Sequence, residues 1–237
     1  MQNEIKLPAL ILTVSGGHTM LVLMSGHGKY KLLGETRDDA AGEAFDKAAQ
    51  LLGVGYPGGP AIAAEAAKLQ ITNLTSPTSP LQGGQINPFY KGGQRGLNLP
   101  RPMIYSNDFD FSFSGLKTAL LYGLQKDKDW KNRIPEYAAE FQAAVTEVLV
   151  FKTIKAAKAL NCKTVMLAGG VAANLELRSR LEAAVKKNLP QAKFIMPELK
   201  YCTDNAAMIA AAGYFRAQRK DFTPWQKLKT QANLELK

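Results

Sequence analysis

The sequence predicts an α/β fold in which helices flank one mixed sheet. Two observations predict it: three apolar segments joined by glycine-containing turns open the chain, and strand and helix patterns alternate in its last third. With 237 residues, 46% of them hydrophobic, the chain can bury one large core or two small ones. Disorder is therefore excluded as its main state.

Three strands and two helices are predicted for the amino-terminal part. The connections between the strands contain glycine and have hairpin chemistry. The carboxylates of Asp38 and Asp39 suit the N-terminus of the first helix, which Gly53 ends. Pro60 fits the first turn of the second helix. The strands are predicted at 7–14, 19–24 and 30–35, and the helices at about 38–52 and 61–69.

The middle of the chain combines a loop-rich segment with two further helices. Residues 70 to about 102 are rich in Ser, Thr, Gly, Pro and Asn and show little periodicity, which predicts a long surface insertion. Phe109 to Phe113 alternates like a strand, and Ser114 is placed to cap a helix running to about Gln125. A longer helix is predicted from about Pro135 to Leu160.

The last third predicts parallel strand pairs, with sites at the carboxyl ends of the strands. Three antiparallel strands followed by a helix and alternating strands is the order of one ribonuclease-H-like lobe. The actin, Hsp70 and sugar-kinase (ASKHA) superfold uses this unit twice, and one copy fits here. A basic tail from Arg216 is predicted to be solvated and partly frayed. Strands are predicted at 164–167 and 193–196, and helices at about 174–187 and 204–218.

Charge and cysteine content narrow the class of partner and compartment. Lys and Arg number 30 against 20 Asp and Glu, and the net charge of +10 favours a polyanionic partner such as a nucleic acid. Cys162 and Cys202 lack CxxC spacing, which disfavours a disulfide framework and a structural zinc site and fits a reducing, cytoplasmic compartment. No apolar run reaches about 18 residues and no signal-peptide pattern opens the chain, so no membrane association is expected.

Two glycine pairs are candidate ligand-binding turns. In Thr13–Thr19 and in Leu167–Asn174, a predicted strand ends in Gly-Gly, and consecutive backbone amides of such turns can bind a phosphate. An ordinary hairpin turn at the first pair and a tight strand-to-helix turn at the second are open alternatives. Asn174 is equally suited to be the N-cap of the following helix.

Carboxylates form a second group of candidates. Asp39, Glu43 and Asp46 share one helical stripe, which is either a solvated face or, at Asp46, an acceptor for a ribose or a substrate amine. Asp204 opens the last helix and is either a helix cap or an oxygen ligand to a metal. The two histidines lie far from it in sequence and form no HExxH motif, which argues against a zinc protease.

Six sequence blocks are spread over residues 13 to 210. They are Ser15-Gly-Gly-His-Thr19, Asp38-Asp-Ala-Ala-Gly-Glu-Ala-Phe-Asp-Lys47, Tyr56-Pro-Gly-Gly-Pro60, Phe111-Ser-Phe-Ser-Gly-Leu-Lys-Thr118, Ala168-Gly-Gly-Val-Ala-Ala-Asn174 and Cys202-Thr-Asp-Asn-Ala-Ala-Met-Ile-Ala210. In content and order the blocks resemble the TsaD family, the tRNA N6-adenosine threonylcarbamoyltransferases once misassigned as sialoglycoprotein endopeptidases. Their combination makes this resemblance far more specific than any single motif.

The resemblance implies transfer of a threonylcarbamoyl group from threonylcarbamoyl-AMP to N6 of the adenosine 3′ of the anticodon, in tRNAs reading codons that begin with A (t6A formation). It implies that Asp204 is the family's carboxylate ligand to one iron or zinc ion, which would act as a Lewis acid during the transfer. The implied partners are tRNA and TsaB- and TsaE-like proteins. The residues implied to contact the donor are Thr13, Val14, Ser15, Gly16, Gly17, Asp46, Gly59 and Asn174.

One feature of the family is missing from the 237 residues. Family members begin with a first lobe whose HxxxH pair supplies two histidine ligands to the metal, and no such pair occurs here. The resemblance therefore implies that the chain is the second, C-terminal lobe of a two-lobed enzyme. It would be a truncated gene model, a fragment, or one half of a split enzyme with a separate first-lobe polypeptide. We expect the chain by itself to be inactive and to hold metal weakly.

Two other classes of function stay open. A non-catalytic nucleotide-binding or scaffold subunit would work by pairing with a partner, as the family's paralogue TsaB does. Retention of Asp46, Asn174 and Asp204 favours the enzyme, because a scaffold would not need all three. A small-molecule kinase of the same superfold is disfavoured because the blocks match TsaD and no first-lobe phosphate loop is present to orient a γ-phosphate.

Overall fold

A five-stranded mixed sheet organises the chain, in the order β3-β2-β1-β4-β5. The computed structural model describes residues 5–72 and 97–230. β1 pairs antiparallel with β2 and β2 with β3, whereas β1 and β4, and β4 and β5, are parallel. The predicted mixed sheet is therefore confirmed. The strands are β1 (Ala9–Val14), β2 (Thr19–Gly26), β3 (Lys29–Glu35), β4 (Thr164–Ala168) and β5 (Lys193–Ile195).

The α-helices follow the predicted order. The second begins three residues earlier than predicted, and Pro60 lies in its first turn as expected. Gly53 ends the first helix in the left-handed conformation, with φ of 67°, which confirms its role as a stop. The helices are α1 (Ala41–Leu52), α2 (Gly58–Thr72), α3 (Ser114–Lys126), α4 (Ile134–Ala159), α5 (Leu175–Asn188) and α6 (Ala206–Gln218).

The main core lies between one face of the sheet and the helices. Leu10, Leu12 and Val14 alternate along β1 and are fully buried, so they share this face. Phe45 of α1 and Phe141 of α4 pack edge to face, with ring centroids 5.8 Å apart. The long helix α4 packs against α1, α2 and α5, and most of its side chains are buried. The core therefore places the N-terminus of α1 beside the end of β1.

α6 and the tail have a different environment. No residue of α6 is buried, and every described residue from 216 to 230 is exposed, which confirms the predicted solvation of the basic tail. His27, between β2 and β3, stacks on Phe215 with ring centroids 3.8 Å apart. No helix in the part of the chain that the structure describes is long and apolar enough to cross a membrane.

The structure corrects the predictions for the middle of the chain. The predicted strand at 109–113 forms only an isolated bridge, between Thr36 and Phe111. The predicted loop at 70–102 lies mostly outside the described residues; 70–72 belong to α2, and 97–102 form neither helix nor strand. Ser114 does not cap α3 but is its first residue. The carboxylate that meets the start of α3 comes from a distant segment.

Asp38 is the carboxylate that accepts hydrogen bonds at the N-terminus of α3; the sequence predicted it at the N-terminus of α1. Its Oδ1 accepts hydrogen bonds from the backbone amides of Phe113 at 2.7 Å and Ser114 at 3.2 Å. The hydroxyls of Ser112 and Ser114 donate to its Oδ2 at 2.6 and 2.8 Å. Burial acts to raise the pKa of Asp38, but these hydrogen bonds outweigh it and leave the pKa below the ordinary value. The hydrogen bonds of Asp38 thus connect the loop before α1 to the N-terminus of α3.

Replacing Asp38 with alanine is expected to lower the free energy of unfolding by about 1–2 kcal/mol at pH 7, because amides at a helix N-terminus lose their acceptor. Since folding lowers the pKa of Asp38, its contribution is complete above the unfolded-state value of about 3.9 and is lost as the pH falls through the folded-state pKa. Urea unfolding at pH 7 and at about pH 2, well below the unfolded-state pKa, measures both effects. Glu182→Ala, at an exposed position on α5, is the control and should change stability by less than about 0.5 kcal/mol. Equal losses in the two variants would contradict the role of Asp38.

Candidate functional site

The first glycine turn joins β1 to β2. The backbone amide of Ser15 donates to the carbonyl of His18 at 2.7 Å, and the amide of His18 donates to Ser15 Oγ at 3.0 Å. Gly16 and Gly17 are exposed, and a Cβ atom at either would meet no other atom within 4 Å. The turn is therefore a closed hairpin, as one alternative predicted, and it leaves open space at both glycines where a ligand can approach the backbone.

The second glycine turn lies directly beside the first. Thr13 near the end of β1 pairs with Ala168 at the end of β4, so both turns leave the sheet at the same edge. Gly169 has φ of 94°, and a Cβ there would lie 2.3 Å from the carbonyl oxygen of Val14. Only glycine fits this position without strain. The two glycine pairs therefore lie side by side at the carboxyl ends of two parallel strands, the edge where the alternating pattern predicts sites.

The N-terminus of α1 is the third element at this edge. The amide of Gly42 donates to the carbonyl of Ser15 at 3.1 Å. A Cβ on Gly42 would lie 2.5 Å from that oxygen and 2.8 Å from Gly16 Cα, so a side chain would push the helix away from the turn. Sequence reasoning did not single out Gly42. The available signal was a glycine within the first turn of a predicted helix, where it costs stability unless a close contact requires it.

Asp46 lies one turn further along α1 and contacts the start of α2. Its Oδ1 accepts from the amide of Gly58 at 2.7 Å, and a Cβ on Gly58 would lie 2.4 Å from Asp46 Cα. Gly59 follows, with open space where its Cβ would be. Asp46 is half-buried. Asp46 and Gly59 are therefore brought together by the packing of α1 on α2.

The other two carboxylates of the predicted stripe have a separate partner. Lys47 Nζ lies 2.6 Å from Asp39 Oδ1 and 2.8 Å from Glu43 Oε1. These hydrogen bonds raise the pKa of Lys47. The stripe is thus not one uniform face, because Asp39 and Glu43 form a surface ion-pair group while Asp46 turns towards α2.

Asn174 is the N-cap of α5, which confirms that alternative. Its Oδ1 accepts from the amide of Leu177 at 2.9 Å, and its Nδ2 donates to Gln142 Oε1 at 2.8 Å. A 3₁₀ turn, Gly170–Ala173, separates it from the second glycine pair. The contact with Gln142 of α4 fixes the side chain of Asn174 close to that turn.

Asp204 lies on the exposed loop between β5 and α6. Of the two alternatives for Asp204, the helix cap is wrong: Asn205 is the N-cap of α6, and its Oδ1 accepts from the amide of Met208 at 3.0 Å. Within residues 5–72 and 97–230, no three His, Cys, Asp or Glu side chains lie close enough together to hold a metal ion. A complete iron or zinc site therefore does not fit these residues, since about three protein ligands are needed.

Arg178 on α5 is a further residue at this end of the molecule that sequence reasoning missed. Its Nε donates to the carbonyl of Ala172 at 2.5 Å. Its Nη2 lies 2.5 Å from the carbonyl oxygen of Pro197 and 3.2 Å from Cys202 Sγ. Arginine on a helix carries no local signal for such contacts, because they depend on where the β5–α6 loop passes.

The arrangement suits a phosphorylated ligand. Two glycine turns, with open space at Gly16, Gly17 and Gly170, converge with the N-terminus of α1 at the carboxyl edge of the sheet, where backbone amides and the helix dipole favour negative charge. A half-buried carboxylate, Asp46, lies one helical turn away, within the same group of elements. Fold and site together define an α/β protein with a candidate ligand site at the carboxyl ends of parallel strands.

Comparison with known proteins identifies the family. A sequence profile described as TsaD: tRNA N6-adenosine threonylcarbamoyltransferase matches residues 1–211, and the chain belongs to this family. The resemblance drawn from the six blocks and the ASKHA fold class are thereby confirmed.

Similar proteins carry the same name, tRNA N6-adenosine threonylcarbamoyltransferase. That of Syntrophomonas wolfei is 48% identical over 223 residues, covering 94% of this chain and 58% of the relative. That of Thermosipho africanus is 46% identical over 236 residues, covering 98% and 63%. One from Dehalococcoides mccartyi is 51% identical over 209 residues, covering 88% and 54%. The chain thus spans between 54% and 63% of the length of these relatives.

Proposed function

We propose that this chain binds threonylcarbamoyl-AMP and takes part in transferring its threonylcarbamoyl group to N6 of the adenosine 3′ of the anticodon in tRNA. The observation that carries the proposal is the convergence of two family motifs, the glycine turns at the ends of β1 and β4, with Gly169 in contact with Val14. The names of the relatives supply the transferred group and its acceptor, N6 of an adenosine in tRNA, and the family resemblance supplies the donor and the position of the adenosine. The chain would act as the second lobe of a two-lobed enzyme.

Different residues of the site would contact different parts of threonylcarbamoyl-AMP. The turn residues Thr13, Val14, Ser15, Gly16 and Gly17 would contact the adenylate and its phosphate, with the phosphate meeting the backbone at the exposed glycines of the turn. Asp46 and Gly59 would contact the ribose and adenine side, because they adjoin each other between α1 and α2. Asn174 would contact the donor at the second glycine turn. Asp204 would lie towards the reacting end, as the catalytic carboxylate of the site.

The reaction requires the first glycine turn to stabilise negative charge on the phosphate of the leaving group. The N6 amine attacks the carbamoyl carbonyl carbon, a new C–N bond forms, the bond to the phosphate oxygen breaks, and AMP leaves while the amine loses a proton. Negative charge therefore grows on the phosphate of the leaving group. Backbone amides and the N-terminus of α1, held in place by the contact between Gly42 and Ser15, would stabilise that charge.

We propose that the iron or zinc ion of the family binds only when a first-lobe polypeptide completes its ligand set. In the described part of the chain, Asp204 is one exposed carboxylate without two further ligands beside it. Binding of one iron or zinc ion would therefore depend on histidines from a separate first-lobe polypeptide. The other proposed partners are TsaB- and TsaE-like proteins and tRNA, whose phosphates suit the net charge of +10, and the proposed compartment is the cytoplasm.

A non-catalytic nucleotide-binding subunit is the second candidate. The exposed position of Asp204 and the incomplete metal site favour it, because the donor pocket can form without a centre for transfer. Such a subunit would bind the nucleotide at the same site but would not take part in transferring the threonylcarbamoyl group.

The experiment that tests the proposal supplies the chain with tRNA, threonylcarbamoyl-AMP, TsaB- and TsaE-like proteins and a first-lobe polypeptide carrying HxxxH. Mass spectrometry of digested tRNA should detect t6A only when the first-lobe polypeptide is present. Asp46→Ala should lower kcat/KM at least about tenfold, equivalent to about 1.4 kcal/mol. Glu43→Ala on the same helix should leave it within about twofold, since Glu43 pairs with Lys47 at the surface. AMP binding without t6A in the complete mixture would favour the non-catalytic subunit.

A further inference from the structure

Arg178 connects two segments that are far apart in sequence. It lies on α5 one turn after Asn174, and its guanidinium donates to the carbonyl of Ala172 in the turn that follows β4. The same group contacts the carbonyl of Pro197 and the sulfur of Cys202 in the β5–α6 loop. One side chain therefore joins the second glycine turn to the loop that carries Asp204.

The β5–α6 loop has few other attachments to the body of the protein. Among residues 196–204, all of which the structure describes, Cys202 is the one buried residue, at 4% exposure. Its Sγ lies 3.6 Å from the carbonyl oxygen of Glu198 within the same loop, and 3.2 Å from Arg178. Arg178 is thus a main contact between this loop and α5.

The chemistry of arginine explains why this residue type stands here. A guanidinium is planar, always charged and carries five N–H donors in a rigid fork, so it can serve three acceptors at once. Hydrogen bonds from a charged donor are stronger than those between neutral groups. A lysine at this position would offer a single ammonium on a flexible stem.

We propose that Arg178 is a positioning residue that couples nucleotide binding at the second glycine turn to the conformation of the Asp204 loop. The proposal rests on the proposed function, because it requires a nucleotide at that turn. A ligand that orders Gly169–Asn174 fixes the carbonyl of Ala172. The Arg178 guanidinium bonded to that carbonyl then moves less, and so do its other partners, Pro197 and Cys202. Donor binding should therefore make the loop that carries Asp204 more ordered than it is in the free chain.

Hydrogen–deuterium exchange on the 237-residue chain, with and without saturating AMP, tests this coupling. In the unaltered chain, AMP should slow amide exchange at Gly169–Asn174 and, by at least about threefold, at 198–204. In Arg178→Gln, AMP should bind within about threefold of the original affinity and still slow exchange at the turn, but it should no longer slow exchange at 198–204. Merely structural support would raise exchange at 198–204 equally with and without AMP.

Arg180→Gln is the matched control. Arg180 lies on the same helix, loses the same charge, and pairs with Glu176 at 2.5 Å and Glu147 at 3.2 Å rather than with the loop. This variant should keep the effect of AMP on 198–204. Should Arg178→Gln fail to fold, Arg178→Lys gives the same comparison and should retain less than half of the slowing.

The outcomes separate the two proposals. Slowing at 198–204 that survives in Arg178→Gln, or that is lost equally in Arg180→Gln, overturns the coupling. In the unaltered chain, slowing confined to the two glycine turns also overturns the coupling and leaves the proposed function intact. Absence of any slowing at residues 15–17 and 169–174 overturns both.

Discussion

Replacing Gly17 with valine is expected to abolish AMP binding while leaving the chain folded. Gly17 is exposed and has open space in place of a Cβ, so the protein itself accommodates a side chain. A branched side chain would instead occupy the space in which a phosphate meets the turn amides. Calorimetry should show at least about 100-fold weaker binding, a loss of about 3 kcal/mol, with little change in the thermal unfolding midpoint.

Gly26→Val is the control for this prediction. Gly26 lies at the other end of the β1–β2 hairpin, and a Cβ there would make an ordinary contact of 3.7 Å with Lys29. This variant introduces the same side chain away from the site, so AMP affinity should stay within about twofold. Unchanged affinity in Gly17→Val would place the nucleotide elsewhere and contradict the proposed pocket.

Replacing Gly169 with alanine is expected to destabilise the fold itself. The φ of 94° disfavours any residue with a Cβ, and that atom would lie 2.3 Å from the carbonyl oxygen of Val14. Because β1 and β4 pair in register up to this point, relief of the clash requires the two strand ends to separate. Urea unfolding should show a loss of about 2–4 kcal/mol.

The neighbouring glycine provides a matched control. Gly170 has open space where a Cβ would be, so Gly170→Ala should change the free energy of unfolding by less than about 1 kcal/mol. Similar losses in the two variants would mean that Gly169 is not needed for the contact between the glycine turns. Normal stability in Gly169→Ala would contradict the close approach of Val14.

The order of elements and the ends of several helices could be predicted from local patterns. Alternating apolar residues, hairpin glycines and the stop at Gly53 depend on residues close together in sequence. The family resemblance could also be predicted, since the six blocks are contiguous stretches of sequence. The N-cap role of Asn174 was one of two alternatives, and the hydrogen bond from Leu177 decided it.

The failures have a common physical cause. The bonds from Asp38 to Phe113 and Ser114 join residues 75 and 76 positions apart, so no pattern around Asp38 reveals them. Similarly, Asp204 and Asn205 are both good capping residues in sequence, and the backbone path of the loop selects Asn205. Among residues 5–72 and 97–230, the predicted strand at 109–113 finds a partner for one bridge only, and that partner, Thr36, is distant in sequence.

By itself, the sequence determined the α/β class, the two glycine turns and the family, because periodicity, turn chemistry and motif order are written in short stretches of chain. Only the tertiary structure decided that Gly42 and Gly169 must lack a side chain, and that Asp46 faces Gly58 rather than solvent. It alone showed Arg178 between the glycine turn and the Asp204 loop. These contacts depend on packing between distant segments, which brings the backbone of one element so close to another that no side chain fits between them.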